Sequence, residues 1–89
     1  MFETVKNALR VSDDDLNDEI QDLIDAAKAD LELSGIIKVD ESDPLIKRAI
    51  ITYCKAHFGY DDMGERFEQA YMSIKQHLAL SAEYTEAGT

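Results

Sequence analysis

Residues 43–59 read Asp43-Pro44-Leu45-Ile46-Lys47-Arg48-Ala49-Ile50-Ile51-Thr52-Tyr53-Cys54-Lys55-Ala56-His57-Phe58-Gly59. The Asp43 carboxylate is suited to accept from orphan backbone N–H groups, and Pro44 lacks the N–H that a first helical position leaves unbonded, so a helix starts here. Leu45, Ile46, Ala49, Ile50, Tyr53, Cys54 and His57 or Phe58 recur at three- and four-residue spacing and share one face. So wide an apolar stripe is expected of the central, most buried helix of a bundle. Ile51 falls outside the stripe, and Gly59 closes the helix.

Upstream, Leu16, Ile20, Leu23, Ile24, Ala27 and Leu31 keep the same periodicity, with Asp18, Asp22, Asp25 and Glu32 on other faces. This predicts an amphipathic helix of about five turns. Ser12, followed by Asp13, Asp14 and Asp15, is the expected start, because its hydroxyl can cap and the aspartates suit the positive end of the helix dipole. The expected end is Ser34, where Gly35 tolerates positive φ and Ile36 and Ile37 can fold back in a Schellman-type stop. Phe2, Val5 and Leu9 predict a shorter first helix, and the brief alternation of Ile37 and Val39 reads as a connector.

Downstream, Tyr60-Asp61-Asp62-Met63-Gly64 reads as a loop whose aspartates can cap the next helix. Phe67, Ala70, Tyr71, Ile74 and Leu78 define that fourth helix, which ends near Leu80. The fold class expected is all-α: one bundle of four helices over residues 1–81, with a long second helix and a buried third. Residues 82–89 are small and polar apart from Tyr84, and a flexible C-terminal tail is expected there.

With 89 residues, 45% hydrophobic and 31% charged, the composition fits one folded domain, neither disordered nor of low complexity. Nineteen acidic against nine basic residues give a net charge of -10, which repels a phosphate backbone, so nucleic-acid binding is not expected. The imbalance is uneven, because residues 1–43 hold thirteen acids and four bases while residues 44–89 hold six and five. No run approaches the roughly 20 apolar residues a membrane span requires. The expected compartment is the cytoplasm. Cys54 is the only cysteine; its place in the apolar pattern makes it a buried side chain rather than a reactive thiol.

Chemistry is sparse. The acids from Asp13 to Asp18 do not make a calcium loop, since the sixth and twelfth positions, which need glycine and glutamate, hold Asp18 and Ile24. Cys54, His57 and His77 would supply three zinc ligands only if two helices faced each other, and ordinary core and surface roles are the simpler expectation. Neither Ser42 nor Cys54 sits in a nucleophile's sequence context. Small size, acidity and helicity are shared with acyl carrier proteins, yet Ser42 lacks that family's Asp-Ser-Leu order. No enzyme activity, metal or cofactor is expected.

An interface is the more productive expectation. Lys47, Ile51 and Lys55 lie four apart on the third helix with Arg48 beside them, an apolar residue framed by bases. The second helix presents Asp18, Asp22 and Asp25. Contact between one copy's basic face and another's acidic face would be heterologous, and such contacts close into rings or extend as filaments. Solvated helix faces are the plainer alternative.

The run Ser12-Asp13-Asp14-Asp15-Leu16-Asn17-Asp18-Glu19-Ile20, the start Asp43-Pro44-Leu45-Ile46-Lys47-Arg48-Ala49-Ile50, and the later Tyr53-Cys54-Lys55-Ala56-His57-Phe58-Gly59 and Arg66-Phe67-Glu68-Gln69-Ala70-Tyr71 together resemble the tailed-phage head-tail connector family, over roughly Val5 to Ser81. The resemblance implies a structural adaptor of a phage or prophage. Such an adaptor forms a homo-oligomeric ring, commonly of about twelve copies, below the portal protein and above the tail or a stopper protein. It implies residence in the virion at the head-tail junction, and a C-terminal segment used in docking. The alternative is an acidic protein that mimics DNA in the cleft of a basic nucleic-acid enzyme.

Overall fold

A computed structural model describes residues 1–58 and 63–86. Gly59, Tyr60, Asp61 and Asp62, expected to close one helix and cap the next, lie outside the described residues. Five helices follow in order: α1 (Phe2–Ala8), α2 (Asn17–Leu33), α3 (Pro44–His57), α4 (Gly64–Ala79) and the single turn α5 (Ala82–Thr85). No strand occurs among the described residues, and the four longer helices are those the periodicity predicts.

Local chemistry sets most of the boundaries. Asp43 has extended backbone angles and its Oδ1 accepts from the N–H groups of Leu45 and Ile46 at 2.8 and 3.4 Å, with Pro44 at the first helical position. At the end of α2, Gly35 takes φ +92°. Its N–H donates to Glu32 O and that of Ile36 to Leu31 O, the paired bonds of a Schellman stop. Ile36 is fully buried beyond the turn. Because only φ and not space opposes a side chain at position 35, Gly35→Ala should lower stability by about 1 kcal/mol. A thermal melt that does not move would remove that role.

The start of α2 departs from expectation. Ser12 does not cap it; the first helical residue is Asn17, and residues 13–16 form turns. Two contacts hold those turns. Asp13 Oδ1 accepts from the N–H of Asp15 at 3.0 Å, and Asp14 Oδ1 accepts from Lys6 Nζ at 2.7 Å. The Lys6 bond ties these turns back to α1. Lys6 and then Asn17, by hydrogen bond and charge, hold the Asp14 carboxyl below the usual range.

The core is a layer of Val5, Leu9, Ile20, Ile24, Ala27, Leu31, Ile36, Ile46, Ala49, Ile50 and Cys54, closed by Tyr71, Leu78 and Tyr84. Each fully buried isoleucine contributes about 1.5–3 kcal/mol. As expected of a central helix, α3 packs on α1, α2 and α4. Burial pushes the Cys54 thiol up to about 12, so it is an inert core side chain.

Packing also continues past Leu80, where the sequence reading ended the bundle. In α5, Tyr84 is 7% exposed, its hydroxyl donates to Asp43 Oδ2 at 2.9 Å, and its carbonyl accepts from the N–H of Ile37 at 2.9 Å. Of the tail expected over residues 82–89, the last three residues lie outside the described set. Asp43 therefore does two jobs, starting α3 with one oxygen and holding Tyr84 with the other.

Candidate subunit interface

Side-chain pairs fix the relation between α3 and α4. The ring of Tyr53 meets that of Tyr71 edge-on at 5.1 Å, and His57 Nε2 lies 3.0 Å from Glu68. As numbers rise along α3 they fall along α4, so the two helices are antiparallel. Their shared inner face is well packed. Their outer seam is not: a groove of about 580 Å³ runs along it, with Ile51, Phe67, Ala70 and Ile74 as apolar surface and Arg48 and Lys55 at its edge.

Several side chains that the periodicity assigns to the core line this seam, among them Ile74, which also packs against the core. Leu45 is 50% exposed; Phe67 and Ile74 are half-buried and Ala70 is exposed. Conversely Ile51, expected outside the core stripe, is half-buried and packs against the core. The reason is the width of the stripes. Each covers more of its helix than one neighbour can hide, and α2 already occupies the opposite flank of α3.

The groove has unlike ends. Toward the start of α4 it continues into a hollow lined by Ala8, Arg10, Lys55, Met63 and Phe67. There the Lys55 ammonium lies 5.4 Å from the centre of the Phe67 ring. Toward the end of α4 it becomes apolar, lined by Leu45, Ser73, Ile74, His77 and Leu78, and His77 also borders Leu80. Arg10 holds φ +61° at the stop of α1, a conformation that favours glycine and costs an ordinary side chain about 1 kcal/mol. No local sequence signal marked Arg10 or Phe67 as lining of this groove.

The ion pairs avoid the groove. Lys6 pairs with Asp14, Lys28 with Glu41 and Lys75 with Asp30. Arg10, Lys47, Arg48 and Lys55 have no ion-pair partner among the described residues, in a chain where acids outnumber bases by nineteen to nine. Of the four α3 residues expected to meet the acids of another copy, Arg48, Lys55 and the apolar Ile51 come together here, while exposed Lys47 is not part of the lining. Asp18, Asp22 and Asp25 lie exposed on α2, with Asp25 accepting from Gln21 Nε2 at 3.0 Å. One molecule thus carries both patches on different helices.

Away from the groove, polar residues are spent on holding helices together. Asp30 Oδ2 accepts from the Tyr71 hydroxyl and from Lys75 Nζ at 3.0 Å, tying α2 to α4. Burial raises the Asp30 carboxyl, but the Tyr71 and Lys75 hydrogen bonds outweigh it and leave the group below the usual range. Burial and the bond to Asp30 push the Tyr71 hydroxyl up. Because the Asp30 carboxyl is depressed on folding, its stabilisation is present above the unfolded value and is lost as pH falls through the folded one. Acid titration should therefore destabilise the wild-type chain more steeply below about pH 5 than Asp30→Asn. Parallel curves would show that Asp30 contributes no linkage.

The other sequence candidates have structural partners too. The Ser42 hydroxyl donates to Asp40 Oδ1 at 2.8 Å. His57 pairs with Glu68, His77 borders the groove, and Cys54 is buried in the core. Among the described residues no three His, Cys, Asp or Glu side chains are grouped to hold a metal ion, and no helix is long and apolar enough to cross a membrane.

In comparison with known proteins, the family model described as "Phage connector protein" matches residues 1–85. No curated protein and no solved structure matches the chain.

Proposed function

The chain belongs to the phage connector protein family, and from that membership we propose that it is the adaptor of a head-tail junction, assembling as a ring below the portal and joining the DNA-filled head to the tail. The role is structural and non-enzymatic. Its partners are further copies of itself, the portal protein, and a tail or stopper protein. Its place is the virion, after assembly in the host cytoplasm.

One observation supports the ring: an apolar groove edged by bases that have no ion-pair partner among the described residues, and an exposed acidic helix, lie on different elements of one molecule. Contact between two such patches is heterologous, so each copy bound leaves one patch of each kind open until the ring closes. The proposed interface uses Lys47, Arg48, Ile51 and Lys55 against Asp18, Asp22 and Asp25. A net charge of -10 also suits a channel protein through which DNA must slide without being gripped.

Light scattering over a range of concentrations, alone and with purified portal protein, tests this reading. A ring-sized particle or a stoichiometric portal complex is the expected result. A monomer in both samples would overturn it and favour the DNA-mimic alternative, which predicts binding to a basic nucleic-acid enzyme instead.

A further inference from the structure

The two unlike ends of the groove have a counterpart along α2. On that helix Asp18, Asp22, Asp25, Ala29 and Leu33 follow at intervals of four, three, four and four residues, which makes a single stripe, acidic at its start and apolar at its end. Leu33 is 87% exposed, more than any other large hydrophobic side chain among the described residues, and Leu80 follows at 82%. The groove changes in the same sense, with Arg10, Lys55 and Arg48 toward one end and Leu45, Ile74 and Leu78 at the other, beside Leu80.

Spacing gives the register. Arg48 and Lys55 are seven residues apart on α3, and so are Asp18 and Asp25 on α2; both pairs span about 10.5 Å of helix. We propose that the groove between α3 and α4 receives α2 of a second copy running antiparallel to α3, with Asp18 at Lys55, Asp25 at Arg48, and Leu33 at the apolar end. This assignment rests on the ring reading above and adds its polarity. In this register Leu33 lies eight residues, about 12 Å, beyond Asp25, which brings it to within about a helical turn of the level of Leu80. The two most exposed apolar side chains then share one contact. The reverse polarity would still set Asp18 at Arg48 and Asp25 at Lys55, but it would carry the exposed Leu33 past Lys55 to the basic end beside Arg10 and leave the apolar end uncovered, so Leu33 decides the direction.

Arg10 gains a role in this arrangement. It keeps a left-handed backbone where glycine would be relaxed, and its side chain lines the basic end of the groove, where the first turn of the incoming α2 carries Asp18 and Glu19. Strain held at a surface site is a mark of function when the side chain it carries has a use.

Paired cysteines on the full chain test the register. Under mild oxidation, Asp18→Cys with Lys55→Cys, and separately Asp25→Cys with Arg48→Cys, should give a ladder of covalent oligomers on a denaturing gel. Asp18→Cys with Arg48→Cys should give none, and buried Cys54 supplies the background in the wild-type control. A ladder from the Asp18–Arg48 pair alone would overturn the polarity. No ladder from any pair, in protein that light scattering shows to be multimeric, would overturn the groove as the contact while leaving the ring intact. No ladder from protein that stays monomeric also overturns the proposal, and stoichiometric binding to portal protein then decides the connector reading separately.

Discussion

Tyr84→Ala should lower the free energy of unfolding by about 3 kcal/mol, the scale of a buried aromatic truncated to alanine. In a chain of 89 residues that is a large share of a total of about 5–10 kcal/mol. The effect has three sources. The ring is 7% exposed and belongs to the core cluster. Its hydroxyl donates to Asp43, which also starts α3. Its backbone carbonyl accepts from Ile37 in the connector between α2 and α3, and this bond weakens if α5 leaves. Tyr84→Phe keeps the ring and loses only the hydroxyl bond, so it should cost about 1 kcal/mol. Urea denaturation distinguishes the cases through a lower midpoint at unchanged slope. An alanine variant with the wild-type midpoint would mean that the segment after Ser81 is a tail held only loosely.

Arg48→Glu together with Lys55→Glu should weaken self-association by roughly two orders of magnitude, because two attractive juxtapositions become repulsive ones against an already acidic helix. The fold should survive. Neither side chain has an ion-pair partner among the described residues, and what Lys55 loses is its 5.4 Å approach to the Phe67 ring. Ile51→Asp is a poorer probe, since Ile51 is half-buried against the core and a carboxylate there would lower stability for reasons unrelated to assembly. Sedimentation velocity gives the association, and a circular dichroism melt shows whether the fold is kept. Unchanged association in the double variant would remove the groove from the assembly surface.

Asp43 and Gly35 show how far local signals reach. Capping and positive φ involve only atoms within one turn, so the start of α3 and the stop of α2 were legible in the sequence. Ser12 shows the limit: its neighbour Asp14 bonds to Lys6, eight residues away on another helix, and the start of α2 moves to Asn17. The periodicity likewise supplied the right apolar residues on α3 and α4 without saying how many would be covered.

By itself, then, the sequence determined the helical class, the order of the four long helices, the burial of Cys54 and the uneven acidity. The family's pattern was also readable in it. Only the tertiary structure decided that Tyr84 closes the core, that Asp30 ties α2 to α4, and that Leu45, Phe67, Ala70 and Ile74 are left along an open seam while Arg10, Arg48 and Lys55, without an ion-pair partner among the described residues, line it. The physical reason is one of range. Helix propensity and caps act through adjacent residues, whereas coverage depends on where other helices lie, and a stripe wider than its neighbours can hide looks the same in sequence whether its remainder meets core, solvent or another copy.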